Sequence, residues 1–278
     1  MSQFRVFTRK LRLQFLAPRE ESEDSTYKEI KEGTVFKGYN LWILCFAMVI
    51  ACIGLTTNST AAVIGAMLIS PLMGPIIGFA FGLAINDESL RKEGIRNWIL
   101  MTVISLIAAT IFFLINPFDH STEIIEAFKS ATIFDIFLAF FGGMAGFIGI
   151  VKKEGVKIIA GVAVATACMP PLCTAAYGIA HLDYEYFLGG MYFYCINSLF
   201  IGWATFLLSK VLKFSKAKST KKLQLLMWDF LIIVALIPGC YIAYKKWKVE
   251  ENTALQLTDK QKIEQLNERI MRLEEQMD

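Results

Sequence analysis

Four prolines interrupt apolar stretches of this sequence: Pro71, Pro75, Pro170 and Pro171. Each lacks an N–H and disturbs the carbonyl one helical turn earlier, so a helix carrying it is left with backbone acceptors in need of a partner. Polar groups lie close by: Asn58, Ser59, Thr60 and Ser70 near the first pair, Thr166 and Thr174 near the second, with Asn197 farther on. Freed carbonyls and hydroxyls at membrane depth can ligate a small polar or ionic solute, because hydrocarbon offers them nothing else. Kinked helices whose Ser and Thr bond only to neighbouring helices would use the same residues.

Other chemistries find less support. Ser70 could serve as an intramembrane nucleophile, but the histidine nearest a membrane boundary is His181, and the chain has neither a Gly-x-Ser-x-Gly elbow nor a His-Glu-x-x-His motif. With two histidines in all, a His-based metal site is not expected, and neither is a cofactor. The six cysteines lie inside apolar blocks, away from polar loops where a disulfide framework would be sought. Asp135 and Asp229 sit near the starts of apolar segments, too few for a carboxylate proton relay across a bilayer. There is no nucleic-acid footprint.

The elements that would position these residues follow from composition. Hydrophobic residues make up 55% of the 278 and charged ones 19%, with 22 Phe, more apolar than an ordinary soluble domain. The apolar residues fall into seven blocks of about the length that crosses a bilayer: roughly 39–57, 60–85, 97–115, 132–150, 157–180, 187–209 and 226–244. Aromatic residues near their ends (Tyr39, Trp42, Trp98, Tyr184, Tyr186, Trp228, Trp247) suit an interfacial belt. The fold expected is therefore all-α: a polytopic membrane protein of about seven transmembrane helices. No cleavable signal peptide is visible. Phe4, Phe7, Leu11 and Phe15, interleaved with Arg5, Arg9, Lys10 and Arg12, suggest a basic amphipathic helix on the membrane surface or on the protein's own cytoplasmic face.

Lys and Arg orient the spans. Arg5, Arg9, Lys10, Arg12, Arg19, Lys28, Lys31 and Lys37 precede the first; Arg91, Lys92 and Arg96 follow the second; Lys152, Lys153 and Lys157 follow the fourth; Lys210, Lys213, Lys216, Lys218, Lys221 and Lys222 follow the sixth. The opposite loops hold Lys129 alone. This places the N-terminus in the cytoplasm and, with seven spans, the C-terminus outside. It also makes 60–85, about 39 Å long if fully helical, a broken spanning helix rather than a re-entrant hairpin.

A shift of 100 residues lays Pro71-Leu72 on Pro171-Leu172, Gly78 on Gly178, Ala80 on Ala180 and Asn97 on Asn197. The same shift lays spans one to three on spans four to six. An odd number of spans per unit turns the second unit over in the membrane, so the expectation is a 3+3 inverted repeat with two Pro-broken helices. Small residues recur every four positions at Ser70, Gly74, Gly78 and Gly82, and again at Gly142 and Gly146, a pattern for close helix packing.

The run Asn58-Ser59-Thr60, then Val63 to Pro75, resembles the domain-of-unknown-function 389 family of prokaryotic hydrophobic membrane proteins; Ala165-Thr166-Ala167 through Leu172 is similar to that family's double-proline segment. The likeness covers roughly residues 40–210. It implies a multi-pass protein of a bacterial or archaeal plasma membrane and brings no substrate or catalytic residues with it.

The C-terminal residues Ile263, Leu266, Ile270, Leu273 and Met277 alternate spacings of three and four, with Ile at a and Leu at d. That pattern favours a parallel dimer; a helix folded back on its own chain would share it. The organisation expected is an N-terminal cytoplasmic segment (1–38), a first transmembrane unit (39–115), a second (132–212), an extra helix (226–244) and an extracytoplasmic coiled-coil tail (255–278). The function expected is a transporter or channel-like pathway in a homo-oligomer. A non-transporting scaffold or sensor that oligomerises through its tail is the alternative, with an intramembrane enzyme behind it.

Overall fold

The computed structural model describes residues 23–116, 121–152, 156–212 and 214, with the backbone alone given for 133, 152 and 156–167. These fall in the first of two compact units, Met1–Asp229. The second unit, Phe230–Asp278, lies outside the described residues, as do the N-terminal amphipathic stretch, the 226–244 segment and the heptad tail.

All regular structure among the described residues is helical: α1 (Glu23–Thr34), α2 (Gly38–Thr56), α3 (Thr60–Ile69), α4 (Met73–Ile85), α5 (Glu88–Ile115), α6 (Glu123–Ala127), α7 (Ile133–Lys152), α8 (Val156–Ala180) and α9 (Tyr184–Val211). Helices α2, α5, α7 (over Phe134–Val151) and α9 are long and apolar enough to cross a membrane, and α3 with α4, bent by 52°, makes a fifth if the pair is one span. Helix α5 shows why such helices suit lipid. Its inward positions mix small or polar residues (Gly94, Asn97, Ser105, Ala109) with Leu90, Met101 and Phe113, while Ile99, Val103, Ile107, Ile111 and Leu114 face outward. Large apolar residues outside, with small residues among the inward ones, suit a helix that packs closely in a hydrocarbon solvent.

Two contacts fix the direction of the first half. Asn97 Nδ2 donates to Thr34 O at 2.8 Å, just before α2 begins. Thr122 Oγ1, beyond the end of α5, donates to Leu55 O in the last turn of α2 at 2.7 Å. Helices α2 and α5 thus run the same way. The α3–α4 pair returns between them: Gly54 near the end of α2 abuts Val63, while Gly82 abuts Arg91 at the start of α5. The pair traverses the bundle instead of returning to the end it left.

The break has a local cause. Ser70 is extended (φ −74°, ψ 129°), as the clash with a following proline ring requires. Pro75 falls in the first turn of α4, where a missing N–H costs nothing. The expected second break is absent: α8 continues helically through Pro170 and Pro171. Proline's fixed φ is itself helical, and Met169 through Gly178 are buried, so the enclosing helices hold the segment helical.

The register between the halves also differs from the 100-residue shift. Helices α5 and α9 are each 28 residues long and begin 96 residues apart. The turns before them match at that spacing. Asn86 and Leu182 are left-handed (φ 60° and 55°), and Asp87 and Asp183 cap the helices. Asp87 N donates to Gly82 O at 2.8 Å and Asp183 N to Gly178 O at 2.9 Å. Gly94 abuts Phe79 as Gly190 abuts Ala175. A slip of four went unseen in the sequence because Pro71 and Pro75, and Gly74, Gly78 and Gly82, recur every four residues. At a spacing of 96, Pro171 stands opposite Pro75, Thr166 opposite Ser70, and Phe193 rather than Asn197 opposite Asn97.

Candidate functional site

Polar groups gather where α5, α8 and α9 meet. Trp98 of α5 stacks on Tyr194 of α9, ring centroids 6.1 Å apart and planes inclined by 19°. These two residues are themselves 96 apart, and so are Thr102 and Ser198, one turn further along each helix. Thr102 Oγ1 lies 2.6 Å from Tyr194 Oη and donates to Trp98 O at 2.8 Å, so the Tyr194 hydroxyl supplies the proton between them. Ser198 Oγ lies 3.6 Å from Cys168 Sγ on α8. A chain of neutral hydroxyls and a thiol thus crosses the interior. Trp98 Nε1 and Thr174 Oγ1 are shielded from solvent and meet no hydrogen-bond partner among the described residues. A buried donor or hydroxyl left this way is costly.

Of the residues singled out from sequence, Thr174, Pro170 and Pro171 are buried in α8. Gly190 is pressed on the second proline: a methyl group there would lie 2.5 Å from Pro171 O. Ser70, Pro71 and Pro75 form the α3–α4 bend, and Ser70 Oγ accepts weakly from Leu72 N at 3.5 Å. Helix α3, which leads into the bend, packs on α8. Asn197 is buried on α9 next to this region. Asn58, Ser59 and Thr60 lie apart, at the turn between α2 and α3. Asn58 is left-handed (φ 54°) and Ser59 caps α3 by accepting from Ala62 N at 3.4 Å. The side chain of Thr166 is outside the described residues. Gly74 and Gly78 seat α1, and Gly82 seats the start of α5. Gly142 and Gly146 are buried on α7, where Gly143 makes the close approach, to Ile201 of α9.

Two features were missed from sequence. Trp98, assigned to an interfacial belt, stacks on Tyr194. Helix α1 was not singled out, although Thr26, Ile30 and Thr34 at spacings of four mark its buried face. Its acidic first turn and basic last turn match the helix dipole. It is tied down by Tyr27 Oη, which donates to Asp87 Oδ2 at 2.8 Å. Partial burial raises the Asp87 carboxyl, but Leu90 N–H, the Tyr27 hydroxyl and Ser89 N–H donate to it and Lys31 lies near, so its pKa falls net below the usual carboxylate value.

The family model described as domain of unknown function (DUF389) matches residues 67–203, from Met67 on α3 to Trp203 on α9. Residues 67–203 are similar to the DUF389 family. That stretch holds the bend, the double proline and the Trp98–Tyr194 crossing, and leaves α1 and α2 outside it. Uncharacterized protein MJ0678 of Methanocaldococcus jannaschii is 26% identical over 140 residues, covering 50% of this chain and 43% of the relative. The alignment thus spans less than half of that relative. No solved structure matches the chain.

Proposed function

We propose that this protein is a seven-span, inverted-repeat transporter or channel-like protein of a prokaryotic plasma membrane, passing a small polar or ionic solute along the two proline segments. In this reading α2, α3–α4 and α5 form one unit, α7, α8 and α9 the other, and 226–244 a seventh span. The N-terminus is cytoplasmic, the C-terminus is outside, and the tail pairs two copies.

One observation carries the reading: the packing between the halves is reciprocal. Helix α5 packs on α8 as α9 packs on α4, and the equivalent residues Trp98 and Tyr194 meet each other. A residue that touches its own counterpart sits beside a two-fold axis. The halves also run oppositely: the turn before α5 lies with α1, while the turn before α9 lies with α6, at the far end of α2. Two opposed units about such an axis, with the Ser70–Pro71 bend of one and the double proline of the other beside it, suit alternating access.

Reconstitution into proteoliposomes, with fluxes measured over a panel of anions, cations and neutral solutes, tests the proposal. Ser70→Leu and Thr174→Val should abolish the flux while the protein stays folded. If helix packing alone explains these residues, they will lower stability instead. If Ser70 is a nucleophile, Ser70→Ala will be as damaging as Ser70→Leu. Orientation is read separately: Ser121→Cys should react with an impermeant thiol reagent from outside and Ser219→Cys only from inside. A disulfide formed by Leu266→Cys in native membranes would report the paired tails.

A further inference from the structure

Sulfur collects in one part of the bundle. Among the described residues, the sulfur side chains that are 0% exposed are Met48 and Cys52 of α2, Met101 of α5, and Met169 and Cys173 of α8. These three helices pack on one another in every pair. The thiols of Cys52 and Cys173 meet across the α2–α8 contact and share a hydrogen bond, and neither is in a disulfide.

The thioethers are matched to the thiols. Met48 precedes Cys52 by four residues and Met169 precedes Cys173 by four, a spacing that stacks two side chains on one helix face. Helix α8 runs with α5. Near its C-terminal end Tyr177 meets Phe113, ring centroids 5.3 Å apart. Earlier in α8, Cys168 reaches Ser198, one turn from the Tyr194 that meets Thr102 in the first half of α5. Since α5 runs with α2, helices α2 and α8 are parallel. Met48 and Met169 therefore lie one turn to the same side of the thiol pair.

A free buried cysteine on its own packs as a small apolar side chain. Two thiols in contact, with a thioether one turn away on each helix, make a chemically selective set. Thiolate and thioether are the ligands that suit Cu(I). Zn(II) takes four ligands from thiolate, imidazole and carboxylate, and among the described residues no group of three or more His, Cys, Asp or Glu is placed to hold a metal. Charge points the same way. With both thiols protonated the site is neutral, as an apolar interior requires. Cu(I) can take the place of one thiol proton: an S–H bond breaks, an S–Cu bond forms, the proton leaves to water and no electron moves. The occupied site is again neutral.

We propose that Cys52 and Cys173, with Met48 and Met169 beside them, form a buried site for a soft monovalent cation of the Cu(I) and Ag(I) class. The site does not rest on the transport reading. The test takes the full-length, reduced protein in mild detergent without oxygen, with Cys45, Cys168, Cys195 and Cys240 replaced by Ala, and titrates it with Cu(I) held by a chromogenic chelator. One Cu(I) per chain should be retained, X-ray absorption should show sulfur neighbours only, and Zn(II) should not displace the ion. Cys52→Ala and Cys173→Ala should each weaken retention about 100-fold or more, beyond what loss of a group outside the coordination shell costs. Met48→Leu and Met169→Leu, which keep side-chain volume, should weaken it about tenfold. Ag(I) should raise the melting temperature of the parent and leave that of Cys52→Ala where it was, a comparison that holds even if the alanine variant is the less stable protein. Failure to retain Cu(I), retention that survives loss of both cysteines, or a Cys52–Cys173 disulfide in native membranes would overturn the site. Cu(I) bound without flux of any solute would keep the site and remove transport; flux of other solutes without bound Cu(I) would remove the site and keep transport.

Discussion

The middle element of the first half breaks where that of the second does not, although each carries two prolines. In the first, Pro71 follows Ser70 and Pro75 comes four residues later, so one proline ends a helix and the other begins the next. In the second, Pro170 and Pro171 are adjacent and lie within a buried stretch of helix. Proline number therefore says little about a break. What decides is whether the residue before the proline is free to become extended, and Ser70, half-buried at the bend, has that freedom. Met169, fully buried, does not.

The halves nevertheless share a close helix approach, and it gives the largest expected effect. Gly94→Ala would set a methyl group 2.5 Å from Phe79 N, and Gly190→Ala would set one 2.5 Å from Pro171 O. Each should destabilise the protein by about 3 kcal/mol, at the upper end of overpacking costs, read as loss of melting temperature in mild detergent. Similar losses at both sites would support equivalence of the halves. Loss at one alone would break it.

A smaller effect separates two equivalent turns. Leu182 and Asn86 both adopt left-handed backbone. A leucine there is strained by roughly 1 kcal/mol, whereas asparagine tolerates the conformation. Leu182→Gly should therefore stabilise the protein more than Asn86→Gly does. The opposite order in thermal unfolding would mean the two turns are not built alike.

The smallest effect concerns the tether of α1. Tyr27→Phe should cost about 0.5–1 kcal/mol, visible as faster hydrogen exchange in α1 with α6 unchanged. Because the folded Asp87 carboxyl sits below its ordinary value, its contribution is complete above the unfolded carboxylate pKa and is lost as pH falls through the lowered one. The groups facing it are Tyr27 and Lys31, with Glu93 near Tyr27. Exchange in α1 should rise on acidification below about pH 4, and Tyr27→Phe should blunt the rise. At the other end Lys129 is raised by its pair with Glu185. Its contribution is lost as pH rises through the raised lysine value.

Much of the architecture was legible in the residues. Expected segments at 39–57, 132–150 and 157–180 lie within two residues of α2, α7 and α8, because apolar runs of membrane length admit few alternatives. Segment 97–115 fell short by nine residues at its start. There Glu88, Arg91, Lys92 and Glu93 read as a loop, but Asp87 caps the helix and Glu88 pairs with Lys92 at 2.8 Å. The glycine stripe was legible as packing, while its partner, α1, was not.

Sequence alone determined that this chain is helical and apolar in membrane-length blocks, and where the chain bends at Ser70, since hydropathy and the pre-proline clash act locally. Tertiary structure decided three things that local rules leave open. It kept α8 helical across two prolines, because burial from several helices outweighs the loss of two N–H groups. It turned Trp98 onto Tyr194, because an indole on a helix can face lipid or a neighbour with equal local cost. And it set the 96-residue register, because prolines and glycines spaced by four align as well at 100, and only the caps, turns and glycine contacts of paired helices distinguish the two.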